Sequence, residues 1–303
     1  MLRHESEING YAIQATDGAI GKVSDFLFDD STWLVRWLVV DTGNWLPGRK
    51  VLIPPSALGS VNHIGHQFPV RLTRQQVKDC PDTDTNQPVS RIMETDIYDY
   101  YGWSPYWGGT ACLGAVGIGG GYMGGSMASL EIAGSMKRQS EIREAQRKAG
   151  DPNLRSSAAI TGYHVHASDG EIGHIDDFLV EDEDWSIHYL VVDTKNWWPG
   201  KKVLISPLSV RTIDWPSRRV NLGADRQKVR DSPAYDPAMT NDPIYQTAFH
   251  KHYGDLRLGM YEKAADPVVA RQLGNIKPLG MVDEPHLVTP GVGNQVPGQT
   301  THE

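Results

Sequence analysis

Histidines gather in one stretch of the chain, at positions 164, 166, 174 and 188, with a further pair at 250 and 252. On a β-strand His164 and His166 share a face, the geometry that a metal ion or a proton relay uses. No cysteine partner and no histidine pair at helical spacing accompanies them, so the spacing predicts ordinary surface histidines. Paired acids at Asp29-Asp30 and Glu181-Asp182-Glu183-Asp184 precede Trp33 and Trp185 at strand ends, where Asp and Glu serve turns. Their spacing does not reproduce a Ca²⁺ loop. The sequence shows no Gly-x-Ser-x-Gly elbow and no phosphate-binding glycine loop. Gly117-x-Gly119-x-x-Tyr122 is an isolated glycine fragment. The expectation is a protein that is not an enzyme, with no cofactor, no metal and no catalytic residue.

What the residues offer instead is a binding surface. The loop Thr42 to Lys50 places Trp45 near Arg49 and Lys50, and the loop Thr194 to Lys202 places Trp197 and Trp198 near Lys201 and Lys202. Tryptophan beside cations is a composition common in association hot spots. A tryptophan that plugs the end of a barrel would give the same pattern, so both readings stand at this point. Two aromatic arms follow the β-rich regions, with Tyr101 and Trp103 in the first and Tyr253 in the second. Large rings suit an assembly contact or the cover of a neighbouring core, and sequence leaves that choice open.

These loops are held by a unit that occurs twice. Gly10 to Pro55 returns as Gly162 to Pro207 with more than half its residues unchanged, at an offset of 152. Matching pieces include Asp17-Gly18 with Asp169-Gly170, Ile20-Gly21 with Ile172-Gly173, Asp25-Phe26-Leu27 with Asp177-Phe178-Leu179, and Leu38 to Thr42 with Leu190 to Thr194. Short β-rich runs without long helical segments between them predict small antiparallel barrels rather than a doubly wound sheet. Along Arg36 to Asp41, Trp37 and Val39 face one way and Leu38 and Val40 the other, so this strand must be covered on both sides. Arg74 to Pro81 and Arg226 to Pro233 read as short helical turns stopped by proline.

The order Gly-Tyr, Asp-Gly, Ile-Gly, Asp-Phe-Leu, Leu-Val-Val-Asp, Trp-x-Pro-Gly, Val-Leu-Ile and a helix ending in Asp-x-Pro resembles the PRC-barrel family. That family includes the cytoplasmic domain of the photosynthetic reaction centre H subunit and the C-terminal domain of a ribosome maturation factor. The resemblance covers Ile8 to about Pro81 and Ile160 to about Pro233, and it implies two such barrels in tandem. By analogy it also implies two alternative roles, as a peripheral component of a membrane photosynthetic or electron-transfer complex, or in ribosome maturation. The chain shows neither the H subunit's membrane helix nor the ribosomal factor's separate N-terminal domain. A fold shared this widely does not specify a function.

Composition sets further bounds. The chain has 303 residues, a formal charge of -8 and 39% apolar content, enough for two modest cores. The negative balance argues against a general nucleic-acid surface. The basic run Lys137-Arg138, Arg143, Arg147 and Lys148 is interleaved with Glu141 and Glu144 and reads as a solvated helix. The glycine-rich stretch after Tyr106 reads as a linker, with peripheral membrane contact as the other use of such a segment. Two cysteines, Cys80 and Cys112, read as free thiols. The start lacks a secretory pattern, so the expected location is cytoplasmic.

The expected organisation is a first barrel over 1–85, an aromatic arm over 86–107, a linker and polar helix over 108–159, a second barrel over 160–235, a second arm over 236–265 and a tail over 266–303. The fold class is mainly β, with short helical extensions. The expected role is protein–protein assembly or adaptor work, self-association included.

Overall fold

The computed structural model describes residues 1–81, 89–103, 150–194, 197 and 201–254. The first repeat supplies β1 (Leu2–His4), β2 (Ala12–Ala15), β3 (Gly18–Asp29), β4 (Leu34–Asp41), β5 (Lys50–Ile53) and β6 (Gln67–Pro69). The second supplies β7 (Leu154–Ser156), β8 (His164–Ala167), β9 (Gly170–Glu181), β10 (Ile187–Asp193), β11 (Lys202–Ile205), β12 (Val210–Asp214) and β13 (Arg219–Leu222). The sheets run β5-β4-β3-β2-β6 and β11-β10-β9-β8-β13-β12. The two end strands of the second path, β11 and β12, are joined by the one-turn helix Pro207–Ser209.

The mainly β class is as the sequence predicts, with one difference in pairing. β2 pairs β6 in parallel, and β8 pairs β13 in parallel. After β5 the chain turns at Pro55–Ala57 and crosses before it returns, and such a crossover delivers a strand in parallel where a hairpin cannot.

Glycine permits the closest contact in each sheet. A Cβ on Gly21 would lie 2.1 Å from the Asp41 carbonyl oxygen, and one on Gly173 would lie 1.9 Å from that of Asp193. The repeated Ile-Gly therefore marks where β3 and β9 press against β4 and β10.

Each repeat builds its own sheet, and the two sheets exchange one short strand each. β1 leaves its own repeat and pairs β9, with Leu2 opposite Glu181 and His4 opposite Leu179. β7 does the reverse and pairs β3, with Leu154 opposite Asp29 and Ser156 opposite Leu27. The two pairings are the same register displaced by 152, so the exchange is reciprocal and has approximate two-fold symmetry within one chain. Near the axis, Leu34 bridges Ser186, and the amides of Val35 and Ile187 donate to the carbonyls of Trp185 and Trp33.

Side chains follow the backbone across the joint. One core holds Ile13, Phe26, Phe28, Leu38 and Val40 together with Val165, Phe178, Leu190 and Val192. Phe28 meets Phe178 at 6.1 Å between ring centroids, and Trp185 meets Phe26 at 6.2 Å and Phe68 at 5.6 Å. A single merged interior thus replaces the two modest cores that composition suggests. A 74-residue β unit has a poor ratio of interior to surface, and merging the interiors relieves it.

The outer faces of β4 and β10 are covered as the alternation along them requires. Trp37, Val39 and Leu52 lie under Ile97 and Tyr98 of the helix Arg91–Tyr101. Tyr189, Val191 and Leu204 lie under Phe249 and Tyr253 of the helix Pro243–Tyr253. The two helices have equal length and stand 152 residues apart, capped by Ser90 and Asp242 and followed by Gly102 and Gly254. The repeat thus runs to Gly254, well past the stretch in which residue identities are shared.

Candidate functional site

The described residues of the twin loops have matching ties. Thr42 Oγ1 lies 2.6 Å from the Arg49 carbonyl, to which it donates, and 2.8 Å from that of Leu46, and Thr194 Oγ1 donates to the carbonyl of Lys201. Each hydroxyl pins its loop across the strand end, because a β-strand that stops leaves carbonyls needing donors. Trp45 and Trp197 are half-buried and pack against the common core. Arg74 lies 4.6 Å over the Trp45 ring, and Arg230 and Arg226 lie 5.2 and 5.9 Å from that of Trp197. The cations on these rings come from the short helices Arg74–Asp79 and Arg226–Arg230, not from the loops themselves.

The loop cations have other roles. Arg49 donates to the carbonyls of Lys78 and Cys80 at 2.7 and 2.5 Å, tying the loop to the end of the short helix. Lys50, Lys201 and Lys202 are exposed. Lys202 pairs with Asp176 at 2.6 Å, and this bond raises the Lys202 pKa. Trp198 lies outside the described residues. The short helices are anchored to the repeated Asp-Gly turns, since Asp17 and Asp169 accept the otherwise unpaired first amides of Arg74 and Arg226.

The aromatic arms face inward. Tyr101 stacks on Trp103 at 4.2 Å and 20°, and both are half-buried between the common core and the outer cluster. Tyr253 is only 8% exposed and lies on the second sheet. Of the two uses open in sequence, the described arm residues serve their own sheet, because the apolar outer face of each central strand needs a cover.

A cleft of about 660 Å³ lies where the exchanged β1 meets the second sheet. At its wall His4 Nδ1 is 2.8 Å from Asp177 Oδ2, and His4 Nε2 is 2.7 Å from the Tyr235 hydroxyl. Ser6 donates to the same Asp177 from its hydroxyl at 2.6 Å and its amide at 3.2 Å. The bond to Asp177 raises the His4 pKa, against the cost of burial. Burial works to raise Asp177, yet the bonds from His4, Ser6 and the Phe178 amide hold it below the usual carboxylate range. Burial raises the Tyr235 pKa.

The imidazole nitrogen away from Asp177 faces the phenolic hydroxyl of Tyr235, which burial keeps protonated. The Ser6 hydroxyl is spent on the carboxylate. In the first repeat Asp25 does the equivalent work, accepting from the Ser156 and Ser157 hydroxyls at 2.6 and 3.1 Å and from the Ala158 amide at 3.1 Å. The repeated Asp-Phe-Leu therefore clamps the exchanged strands. Its recurrence was visible in sequence, but its partners lie more than 130 residues away and carried no signal.

Of the histidines read from sequence, His164 stands opposite His174 across β8 and β9, and His188 and His252 lie elsewhere. His164 pairs with exposed Glu171 at 2.9 Å, His252 Nε2 lies 2.8 Å from the Lys228 carbonyl oxygen, and His188 is buried on β10. Among the described residues no group of three or more His, Cys, Asp or Glu could hold a metal ion. Asp29 accepts from Ser31, and Asp184 accepts from Ser186, so these acids form turns as expected. Asp29 also reaches Arg36 at 3.3 Å. Among the described residues no helix is long and apolar enough to cross a membrane.

Comparison with known proteins bears on the first repeat. Residues 4–77 match the family model of the PRC-barrel domain. An uncharacterized protein of Deinococcus radiodurans is 37% identical over 78 residues, a match covering 25% of this chain and 28% of that protein. The shared part is therefore little more than a quarter of the relative's length.

Proposed function

We propose that this chain, which carries a PRC-barrel domain at residues 4–77 and repeats its strand order, is a non-enzymatic adaptor presenting two related protein-docking loops. The observation that carries this reading is the reciprocal exchange of β1 and β7 over a common core. A joint of this kind holds Trp45 and Trp197, both packed on the common core, in a fixed mutual relation. Two sites on one rigid body bind a pair of partners, or a symmetric partner, with higher avidity than either site alone.

The chemistry of each loop supports protein as the partner. A half-buried tryptophan plated by arginine gives a flat, preorganised surface that loses little entropy on binding, and exposed Lys50 and Lys201 border it.

The test is retention of protein partners from native lysate on the immobilised chain, with identification by mass spectrometry. Trp45→Ala and Trp197→Ala should each weaken retention of the same partner, and the double substitution should abolish it, with the circular dichroism of the fold preserved. Full retention by the folded double variant removes the loops from this reading.

A further inference from the structure

The exchange joint contains a contact that the symmetry makes informative. Glu5 and Ser157 occupy equivalent positions of the two repeats, and they meet each other. Glu5 is 5% exposed and Ser157 is fully buried. Ser157 Oγ lies 2.6 Å from Glu5 Oε1 and 3.1 Å from Asp25 Oδ1. One hydroxyl proton cannot serve two acids. The set is satisfied when Glu5 carries a proton, donates it to Ser157 Oγ and leaves the serine proton for Asp25.

Equivalent residues that touch across a two-fold axis would be identical if either repeat paired with a copy of itself. Joining two first repeats would place two Glu5 carboxyls together in a buried site, beside two copies of Asp25. Carboxyls in such contact cannot both ionise, and the second charge is strongly disfavoured. Joining a first repeat to a second puts a hydroxyl opposite the acid instead. The flanking clamps divide in the same way, with His4 on Asp177 and Ser156 on Asp25.

We propose that the strand-exchange joint is also a recognition surface for a second copy of this chain, and that Glu5 opposite Ser157 restricts it to a first repeat meeting a second repeat. Nothing in the joint depends on which chain supplies each repeat, since β1, β7 and both clamps reach across with the same register. Within one chain the connection through residues 104–149 raises the effective concentration of the second repeat to the order of mM, which favours the closed monomer in dilute solution. When closure is blocked, two chains satisfy both joints reciprocally, as in a domain-swapped dimer. This surface is distinct from the tryptophan loops, and its failure would leave the adaptor reading intact.

The full-length chain allows a direct test. A Ser157→Glu chain has acid on both sides of its own joint, and a Glu5→Ser chain has serine on both sides. Neither has an acid opposite a hydroxyl within itself, yet a mixture can form one native pair and one with acid and hydroxyl transposed between chains. Co-refolded at pH 8, the mixture should give a one-to-one dimer at twice the monomer mass by light scattering, while the Glu5→Ser chain alone stays monomeric. A mixture that remains at monomer mass overturns the recognition surface. Ser157→Glu alone should melt about 10 °C below the parent chain, and adding Glu5→Ser in the same chain should restore melting. A double variant that stays as unstable as Ser157→Glu overturns the selective role of the pair.

Discussion

Helix Arg91–Tyr101 is fastened to its sheet by buried charge, and helix Pro243–Tyr253 by rings and neutral bonds. In the first, Glu94 is completely buried and forms a two-pronged pair with Arg36, accepts from Trp37 Nε1 at 2.6 Å and meets Arg91 at 3.2 Å. Asp151 completes the cluster, 2.9 Å from Arg36 and 3.4 Å from Arg91. In the second, the position of Glu94 is taken by Gln246, which donates to the Thr240 carbonyl at 2.9 Å. Phe249 packs on Tyr189 and Tyr245, and Asn241 holds both backbone groups of Leu2. The same backbone framework thus tolerates two chemistries at one interface. What it cannot tolerate is an uncovered outer face on the central strand.

The difference predicts unequal sensitivity. Glu94→Ala strips Arg36 of its principal buried partner, and breaking such a pair costs about 3–5 kcal/mol in urea unfolding. Burial pushes the Glu94 pKa up, and Arg36 and Arg91 oppose that rise. At the equivalent site of the second repeat, Gln246→Ala should cost less than about 1.5 kcal/mol, since one neutral hydrogen bond is lost. Equal losses would mean that the charge cluster adds nothing beyond packing.

Between these extremes lies the joint itself. Burial pushes Glu5 up to about 8, helped by Asp25 and Asp177, and opposed by the bonds from Ser157 and Asn9. The unfolded chain releases this proton near pH 4.5 and the folded chain near 8, so stability falls as pH rises across that window. Glu5→Gln should remove this fall and leave the protein more stable than the parent at pH 8, by roughly 2–4 kcal/mol, in thermal unfolding followed over pH. An unchanged pH slope would place the Glu5 proton elsewhere.

Much of the framework was legible in sequence. The alternation along Arg36 to Asp41 required a cover on each side of the strand, and Trp37 and Val39 found theirs in the outer helix. Thr73 and Asp225 cap the short helices that the proline stops suggested. The exchange of strands was not legible, because Leu2–His4 and Leu154–Ser156 share only a Leu-Arg dipeptide and three-residue strands have no periodicity to read. The His4–Asp177–Tyr235 array was hidden for the same reason. It joins three parts of the chain through contacts at sequence separations of 173 and 231. The outer helices were half legible, as a faint echo in which geometry persisted while Glu94 became Gln246 and Arg36 became His188.

Native-state hydrogen exchange tests most directly whether the two repeats form one body. Strands β1 and β7 should exchange with the same protection as β3, β4, β9 and β10, through a single cooperative opening of the whole chain. Rapid exchange in β1 and β7 while the central strands stay protected would show the repeats to be separable, and would contradict the reciprocal joint.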